Sequence, residues 1–269
     1  MTTFRERHPV AWAYHRRTSR WPFNMHDLNE RTFETPQFKE DLDVEPLDLP
    51  APRLPDAPLR AAIEGRSTCR RFAGEPLPLA DLGTLLHAGY GITGTTELGG
   101  EFCERPIPSG GGLYPLELYV IAQRVEGLDG GAYHYVPLGH RLEVVRPDPL
   151  PTLLTSEMFL GQPYLAGAAG VIVITALVER SLWKYEDRGY RYILLEAGHC
   201  AQSVNLCAEG MGLGSLNLGG FMDEDVMALL RLDPDHEIVL YGVAVGAAST
   251  ADRRDRRFPP DADLEYRRF

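Results

Sequence analysis

The chain has 269 residues, of which 44% are hydrophobic and 24% charged, and its formal net charge is −11. This balance predicts a globular protein with a substantial core, while the acidic surplus argues against binding to a nucleic-acid backbone. The first residues are charged throughout, unlike a signal peptide, and the longest apolar run, residues 165–178, is too short to span a bilayer. We therefore predict a cytoplasmic protein with neither a membrane nor a nucleic acid as a partner.

Residues 1–58 carry several prolines and mixed charges without a sustained hydrophobic period. The pattern predicts an extended arm that wraps the surface of a domain at residues 59–250, with a charged tail at residues 251–269. Within the arm, the aromatic and basic stretch at residues 14–24 is an anchor, a lid or the end of a surface helix.

The segment PLRAAIEGRSTCRRF predicts a helix that ends near Gly65, followed by a turn rich in arginines and hydroxyls. In an extended chain, Arg66, Thr68 and Arg70 would point to one side. An arginine guanidinium can bind a phosphate or a carboxylate through two hydrogen bonds. These residues are a candidate anion site, although a solvated basic loop explains the pattern equally well.

A hydroxyl and three glycines come shortly before a predicted strand at residues 116–122. After a short helix at residues 79–88, the chain reaches Pro108, Ser109 and Gly110, which two further glycines follow. Glycines let backbone N–H groups face a ligand, so we favour a ligand-binding loop over a bare turn.

Two short runs at residues 131–136 and 140–145 predict a β-hairpin. It carries His134 and His140, which we interpret as surface residues because no third metal ligand accompanies them. The four cysteines also lack the spacing of a metal site. No metal is therefore predicted.

The second half of the chain continues the irregular mixture of helices and strands. We predict a helix at residues 150–159, a strand at residues 170–177 covered on both faces, a helix capped by Asp223, and a last strand at residues 237–245. Elements mixed in this way predict an α+β fold rather than a wound series of βαβ units.

The longest predicted helix follows Lys184 and Tyr185 and ends in a glycine-rich stretch. Its apolar residues recur alternately four and three positions apart and form one stripe, at Ile193, Ala197, Cys200, Val204, Cys207 and Met211, which Leu194, Ala201 and Ala208 widen. We expect so apolar a helix to lie in a core or at a subunit interface, and the glycines after it to admit a flat or anionic ligand. Lys184 is one of only two lysines and offers an ammonium whose pKa burial can lower.

Five motifs in this order resemble the nitroreductase-like flavoproteins, and closely the SagB-type dehydrogenase branch. They are RSTCRRF, LHAGYGITG, RPIPSGGGLYPLELYV, WKYEDRGYRYILLEAGHCAQSVNLCAEGMGLGS and LGGF. The resemblance extends from about Tyr14 to Gly246 and implies an α+β fold whose mixed or antiparallel sheet is flanked by helices. It also implies a homodimer with the long helix at the interface and one FMN in each of two interface sites.

The resemblance further implies which residues hold FMN. The family segment that holds the flavin phosphate, ribityl chain and ring edge matches Arg66, Ser67, Thr68 and Arg70. A loop that the neighbouring subunit contributes matches Pro108, Ser109 and Gly110. The stretch whose main chain faces flavin N5 and O4 matches Leu218, Gly219 and Gly220. Ser67 and Thr68 replace an arginine and a serine of the family pattern, so one charge is lost. An arginine of the C-terminal tail, with Arg254 as the candidate, would restore it.

In the branch that oxidises azoline rings of ribosomal peptides, a Lys-Tyr pair ahead of the long helix is catalytic, and it matches Lys184 and Tyr185. The resemblance therefore implies an FMN-dependent dehydrogenase that forms thiazole or oxazole from thiazoline or oxazoline, beside a cyclodehydratase partner. One residue of the pair would remove a ring proton while a hydride leaves for flavin N5. The alternatives are another flavin-dependent desaturase, an NAD(P)H-driven nitro or quinone reductase, and a flavin-free scaffolding subunit of a biosynthetic complex.

Overall fold

The structure, a computed structural model, describes residues 3–19, 36, 38–39, 44–96 and 102–250. Its strands are β1 (Leu47–Asp48), β2 (Gly94–Thr96), β3 (Phe102–Glu104), β4 (Leu116–Ala122), β5 (Gly131–Val136), β6 (Arg141–Arg146), β7 (Gly170–Leu177), β8 (Leu213–Leu218) and β9 (Glu237–Ala247). Seven of them form one antiparallel sheet in the order β1-β6-β5-β4-β7-β9-β8, and β2 pairs with β3 in a separate two-stranded sheet.

The described residues also form eight α-helices. They are α1 (Phe4–Arg7), α2 (Pro9–Arg17), α3 (Leu59–Gly65), α4 (Leu79–Tyr90), α5 (Thr152–Met158), α6 (Glu179–Tyr185), α7 (Asp187–Gly210) and α8 (Asp223–Leu229), with short 3-10 turns at Gly110–Gly112 and Pro163–Gly167. None of the helices in the described ranges is both long and apolar enough to cross a membrane.

Both faces of the sheet are buried. Successive side chains of a strand point to opposite faces, and each of the two sets packs in its own core cluster. In β4, Leu118 and Val120 pack in one core cluster with α4 and α7. Tyr119 and Ile121 belong to a second cluster with α5 and α8. Strand β7 is buried along all but its last residue, which confirms the predicted double coverage of residues 170–177.

Helix α7 organises the first of these two faces. Its 24 residues extend over about 36 Å at 1.5 Å per residue. The predicted stripe is confirmed, with Ile193, Ala197, Cys200, Val204 and Cys207 buried and Met211 packed against the same cluster. Leu194 was expected to widen the buried apolar face, but its side chain is 42% exposed and that of its neighbour Leu195 is 56% exposed.

The structure differs from the expected elements at several places. Residues 4–17 form two short helices instead of an extended chain. Strand β8 was not expected, because Gly214 and Asn217 are residues that strands disfavour. Asp223 is the first helical residue of α8 rather than its cap: Met222 holds the cap position and no side chain caps the helix. The acid in the first turn still complements the helix dipole.

The two hairpin histidines, contrary to the expectation, are not surface residues. His134 is buried, and its Nε2 and Nδ1 lie 2.9 Å from Glu117 and 3.4 Å from Glu143. The hairpin is interior to the sheet, since β5 pairs with both β4 and β6, and an alternating pattern alone cannot reveal that position. His140 is half-buried, with its Nδ1 2.9 Å from the Tyr135 hydroxyl.

Candidate active site

Lys184 and Tyr185 lie at the corner between α6 and α7. Glu186, which joins the two helices, has a φ of 51°, a left-handed value that ends α6 and turns the chain. The helices approach closely at Gly189, where a Cβ would lie 2.9 Å from the Ser181 carbonyl oxygen. Both side chains of the pair are half-buried rather than in the core, and Lys184 Nζ lies 5.4 Å from the centre of the Tyr185 ring.

Helix α6 is fixed to the sheet by Arg180, one turn before Lys184. Arg180 is buried, and its Nη1 donates to the Glu117 carboxylate at 2.6 Å. Glu117 also contacts His134, which in turn faces Glu143. Burial alone would raise the pKa of Glu117, but the hydrogen bond to His134 and the charge of Arg180 outweigh it and lower that pKa. These four side chains, the buried ion cluster, anchor the helix that carries the Lys-Tyr pair.

The glycine loop lies directly against this pair. Gly111 has a φ of 69°, and a Cβ there would collide with the Tyr185 hydroxyl and lie 3.0 Å from Lys184 Nζ. Gly110 packs on Tyr192, where a Cβ would lie 3.2 Å from the ring. Tyr192 forms an edge-to-face contact with Tyr185 at a centroid distance of 5.0 Å. The loop and the Lys-Tyr pair are therefore together within one chain.

A buried carboxylate that the sequence analysis did not single out holds Ser109. Ser109 Oγ donates to Glu196 at 2.6 Å and accepts the Tyr114 N–H at 2.9 Å. The other carboxylate oxygen accepts from the Tyr90 hydroxyl at 2.7 Å, and that hydroxyl accepts the Leu116 N–H at 3.0 Å. We call Ser109, Tyr90 and Glu196 the Glu196 cluster.

Burial raises the pKa of Glu196 to about 7, because it disfavours the charged form. The hydrogen bonds from Ser109 and Tyr90 and the charge of Arg105 act in the opposite direction without cancelling this effect. Arg105 bonds through Nη1 to the Tyr90 backbone carbonyl at 2.7 Å, and its guanidinium lies 4.2 Å from the centre of the Tyr90 ring. The Glu196 carboxyl therefore titrates near neutral pH.

A cleft of about 200 Å³ opens beside the loop and the Glu196 cluster. It is lined by Pro108, Ser109, Gly110, Tyr192, Leu195, Glu196 and His199. An aromatic ring, an aliphatic side chain and a few polar groups around a concave surface are typical of a small-ligand site.

Residues 66–70 run along β8, the edge strand of the sheet. Thr68 forms a parallel bridge with Ser215, and the Cys69 N–H donates to the Ser215 carbonyl at 2.8 Å. The Cys69 side chain points inward and is buried. Arg66, Ser67 and Thr68 are half-buried and Arg70 is exposed. The segment is extended at this point, the conformation that the candidate anion site requires.

The glycine pair lies at the far end of the same strand. Leu218 is the last residue of β8 and is buried. A Cβ at Gly220 would lie 2.7 Å from the Leu160 side chain, and one at Gly219 would lie 3.4 Å from the Tyr241 ring. Two residues without side chains thus follow the edge strand directly, at the position where the sequence predicts main chain that faces a ligand. Arg254, the candidate from the tail, lies outside the described residues.

Within one chain, the candidate residues form two separate groups. Ser109 is bonded to Glu196 of α7, whereas Gly65, which precedes the arginine segment, packs on Glu209 of α7. Glu209 is 13 positions after Glu196, which corresponds to about 20 Å of helix. Strand β4, which follows the loop, and strand β8, which precedes the glycine pair, are three strand spacings apart, or about 14 Å.

The position of Glu196 in the sequence indicates a buried carboxylate. Glu196 lies three residues after Ile193 and four before Cys200, so it falls on the apolar stripe of α7. A carboxylate at such a position must be buried with polar partners. Tyr90 carried no comparable signal, because a tyrosine at the end of an apolar helix is ordinary.

A family model described as the nitroreductase family matches residues 63–247. The chain belongs to the nitroreductase family. This membership makes it an oxidoreductase and confirms the α+β, nitroreductase-like fold. The matched segment contains both groups of candidate residues, with only the tail arginine outside it.

Several curated proteins align with the chain, among them the following three. A Methanocaldococcus jannaschii protein that carries a nitroreductase name is 33% identical over 186 residues, 69% of this chain and 90% of that protein. The microcin B17-processing protein McbC of Escherichia coli is 34% identical over 143 residues, 48% of this chain and 49% of McbC. The trifolitoxin-processing protein TfxB of Rhizobium leguminosarum bv. trifolii is 28% identical over 251 residues, 84% of this chain and 67% of TfxB. The last two confirm the resemblance to the SagB-type branch.

Two solved structures share the fold. A nitroreductase-type structure from Anabaena variabilis superposes with a TM-score of 0.69 at 27% identity, over 91% of this chain and 47% of that one. A chain of the Escherichia coli microcin synthetase McbBCD complex, solved with truncated pro-MccB17 bound, superposes with a TM-score of 0.57 at 22% identity, over 90% of this chain and 92% of that one. This chain thus spans about half the length of the Anabaena chain, whereas the segment aligned with McbC covers about half of each of the two proteins.

Proposed function

We propose that the protein is an FMN-dependent dehydrogenase that oxidises thiazoline or oxazoline rings of a peptide natural product to thiazole or oxazole. The observation that carries the proposal is that Lys184 Nζ and the Tyr185 hydroxyl lie against Gly111, the neighbour of the Gly110 that lines the cleft. Oxidation of the ring must remove a proton as well as a hydride, whereas a reductase needs no such base. The relatives McbC and TfxB process microcin B17 and trifolitoxin, which supports a peptide substrate.

The residues present suit an FMN. Arg66, with the hydroxyls of Ser67 and Thr68, would hold its phosphate, because guanidinium and hydroxyl groups are good phosphate donors. Arg70 follows on the same segment, and Leu218, Gly219 and Gly220 offer bare backbone to a flat ring. Pro108, Ser109 and Gly110 would complete the site. A bound flavin supplies the hydride acceptor of the reaction.

Lys184 and Tyr185 would handle the proton. Either the Lys184 amine or the Tyr185 phenolate would accept it from a ring carbon. Gly111 leaves room for both groups, since a side chain at this position would displace the Tyr185 hydroxyl. Arg180 holds the helix that carries them through its bond to Glu117. We propose the pair as the catalytic unit and do not assign the proton acceptor to one of its two residues.

A homodimer would unite the two groups of site residues. About 14 Å across the sheet separates the loop end from the glycine pair within one chain, so a flavin in contact with both calls for a loop from a second copy. Leu194 and Leu195 are exposed on α7, which offers an apolar face for that copy. Burial of these leucines would stabilise the dimer.

A cyclodehydratase is the proposed partner of this dimer. An azoline ring must be closed from a cysteine, serine or threonine side chain before it can be oxidised, so the two activities act in sequence on one peptide. The McbBCD complex, solved with a truncated precursor bound, contains a chain with this fold and supports such an arrangement.

The test is to incubate the purified protein with FMN and an azoline-containing peptide and to measure the product mass. The proposal expects a loss of two hydrogen atoms for each oxidised ring, without added NAD(P)H. An unchanged peptide together with NAD(P)H-dependent reduction of a nitroaromatic or a quinone would assign a reductase instead. A colourless protein that takes up no flavin would assign a scaffolding role.

A further inference from the structure

The Glu196 cluster places a single carboxyl between two hydroxyls that differ in their surroundings. Ser109 borders the cleft, whereas Tyr90 is only 1% exposed. Both hydroxyls lie within 2.7 Å of a carboxylate oxygen of Glu196. The arrangement determines where each hydroxyl proton can point.

An ionised Glu196 draws both hydroxyl protons inward. Ser109 Oγ already accepts the Tyr114 N–H, and Tyr90 Oη already accepts the Leu116 N–H. Each hydroxyl has one proton to donate, and an ionised carboxylate can only accept. While Glu196 is charged, Ser109 therefore has no proton left for a ligand in the cleft.

A protonated Glu196 must donate to one of the two hydroxyls, which then has to turn its own proton elsewhere. Tyr90 is enclosed, so turning its proton away from Glu196 would leave a buried donor without an acceptor, which is costly. Ser109 can turn its proton into the cleft. Protonation of Glu196 thus reverses the hydrogen bond to Ser109 and keeps the one from Tyr90.

We propose that Glu196 is a positioning residue whose protonation releases the Ser109 hydroxyl to donate to the flavin and whose ionisation withdraws it. This inference rests on the proposed function, because it takes the flavin as the ligand that Ser109 meets. Protonated Glu196 should tighten flavin binding by one hydrogen bond, and ionised Glu196 should loosen it.

The pKa of Glu196, raised to about 7 by burial, places this change in the neutral range. The titratable and charged groups around the cluster come from every element packed on it: Tyr90 of α4, Arg105 after β3, Tyr114 before β4, Lys184 and Tyr185 of α6, and Tyr192, His199 and Cys200 of α7. Burial, followed by the nearby Glu196 charge, raises the pKa of Cys200, so that thiol stays neutral while Glu196 titrates.

The experiment measures the dissociation constant of FMN from flavin-free protein between about pH 5.5 and 8.5, by quenching of flavin fluorescence. Glu196→Gln is the matched variant, because its amide can accept from Tyr90 and donate to Ser109 at every pH. The FMN phosphate titrates near pH 6, and the ratio of wild-type to variant dissociation constants removes that contribution. Ser109→Ala removes the hydroxyl itself.

We expect the ratio to rise from about 1 at low pH to between about 2 and 10 at high pH, the equivalent of one hydrogen bond. The rise should centre near the pKa of Glu196, and Ser109→Ala should bind weakly with no such rise relative to the Gln variant. A ratio that stays constant across the range would overturn the inference while leaving the proposed function intact. Wild-type protein that binds no FMN at any of these pH values would overturn both.

Discussion

Glu117 and Glu196 are both almost fully buried, with 4% and 2% exposure, but their surroundings shift their pKa values in opposite directions. Burial tends to raise both values. For Glu117, the hydrogen bond to His134 and the charge of Arg180 reverse that tendency, and the pKa falls. For Glu196, the partners are neutral hydroxyls, and the pKa rises to about 7.

The two carboxylates therefore serve different purposes. The buried ion cluster keeps a fixed charge and fastens α6 to the sheet. His134 belongs to the same cluster: burial alone would lower its pKa, but the hydrogen bonds to Glu117 and Glu143 raise it. The Glu196 cluster lies beside the cleft and can change its charge near neutral pH. The fixed charge supports the fold, and the charge that can change lies at the cleft that we propose as the ligand site.

Glu117→Ala should disrupt the buried ion cluster and have the largest effect on the free energy of unfolding. Arg180 would be left buried without its carboxylate, which lowers the free energy of unfolding by about 3–5 kcal/mol. Urea denaturation measures the change. Glu64→Ala is the control, since the Arg60–Glu64 pair is an exposed i,i+4 pair and its loss should cost about 0.5 kcal/mol or less. Equal losses in the two variants would contradict the assigned role of the buried ion cluster.

Glu196→Gln should remove a pH dependence of stability. The pKa of Glu196 is about 7 in the folded protein, against an ordinary value of 4.5 for a glutamate, so the folded state binds more protons between these pH values. The wild-type free energy of unfolding should therefore fall by about 3 kcal/mol as pH rises from about 4.5 to 7, through this group alone. Urea denaturation of both flavin-free proteins across this range tests the difference. Parallel pH profiles would mean that Glu196 is not held protonated.

Gly111→Ala and Gly112→Ala separate backbone strain from contact with the Lys-Tyr pair. Both glycines have positive φ, 69° and 67°, so each alanine should cost about 1–2 kcal/mol of stability. Only a Cβ at Gly111 would collide with Tyr185, since nothing lies within 4 Å of one at Gly112. Displacement of a catalytic group should lower the rate of ring oxidation by about 10- to 100-fold in the first variant. Similar rates in the two variants would show that this contact does not matter.

Much of the fold could be predicted because its helices and strands depend on the local spacing of hydrophobic residues. The α7 stripe follows from residues four and three positions apart, and the apolar run of β7 indicates a strand covered on both faces. The hydroxyl and glycines at residues 109–112 indicated a loop with special backbone requirements, and the structure puts them against Lys184 and Tyr185.

The partners of buried charges could not be predicted, because they depend on which strands become neighbours. His134 looked exposed in an isolated hairpin, but β5 lies between β4 and β6, and this brings Glu117 and Glu143 to the imidazole. The separation of Glu196 from Ser109 by 87 positions in the chain hides their bond in the same way. Strand β8 was missed because its glycine and asparagine residues weaken the local signal.

The rate of azoline oxidation by Lys184→Ala, measured together with its FMN content, tests the central claim most directly. The account predicts that the variant keeps its flavin absorbance, because Lys184 is not among the residues proposed to hold FMN. Its rate should fall by about 10²- to 10⁴-fold, the usual contribution of a proton-transfer group. A variant that retains flavin and oxidises the ring at the wild-type rate would contradict the assignment of the Lys-Tyr pair as the catalytic unit.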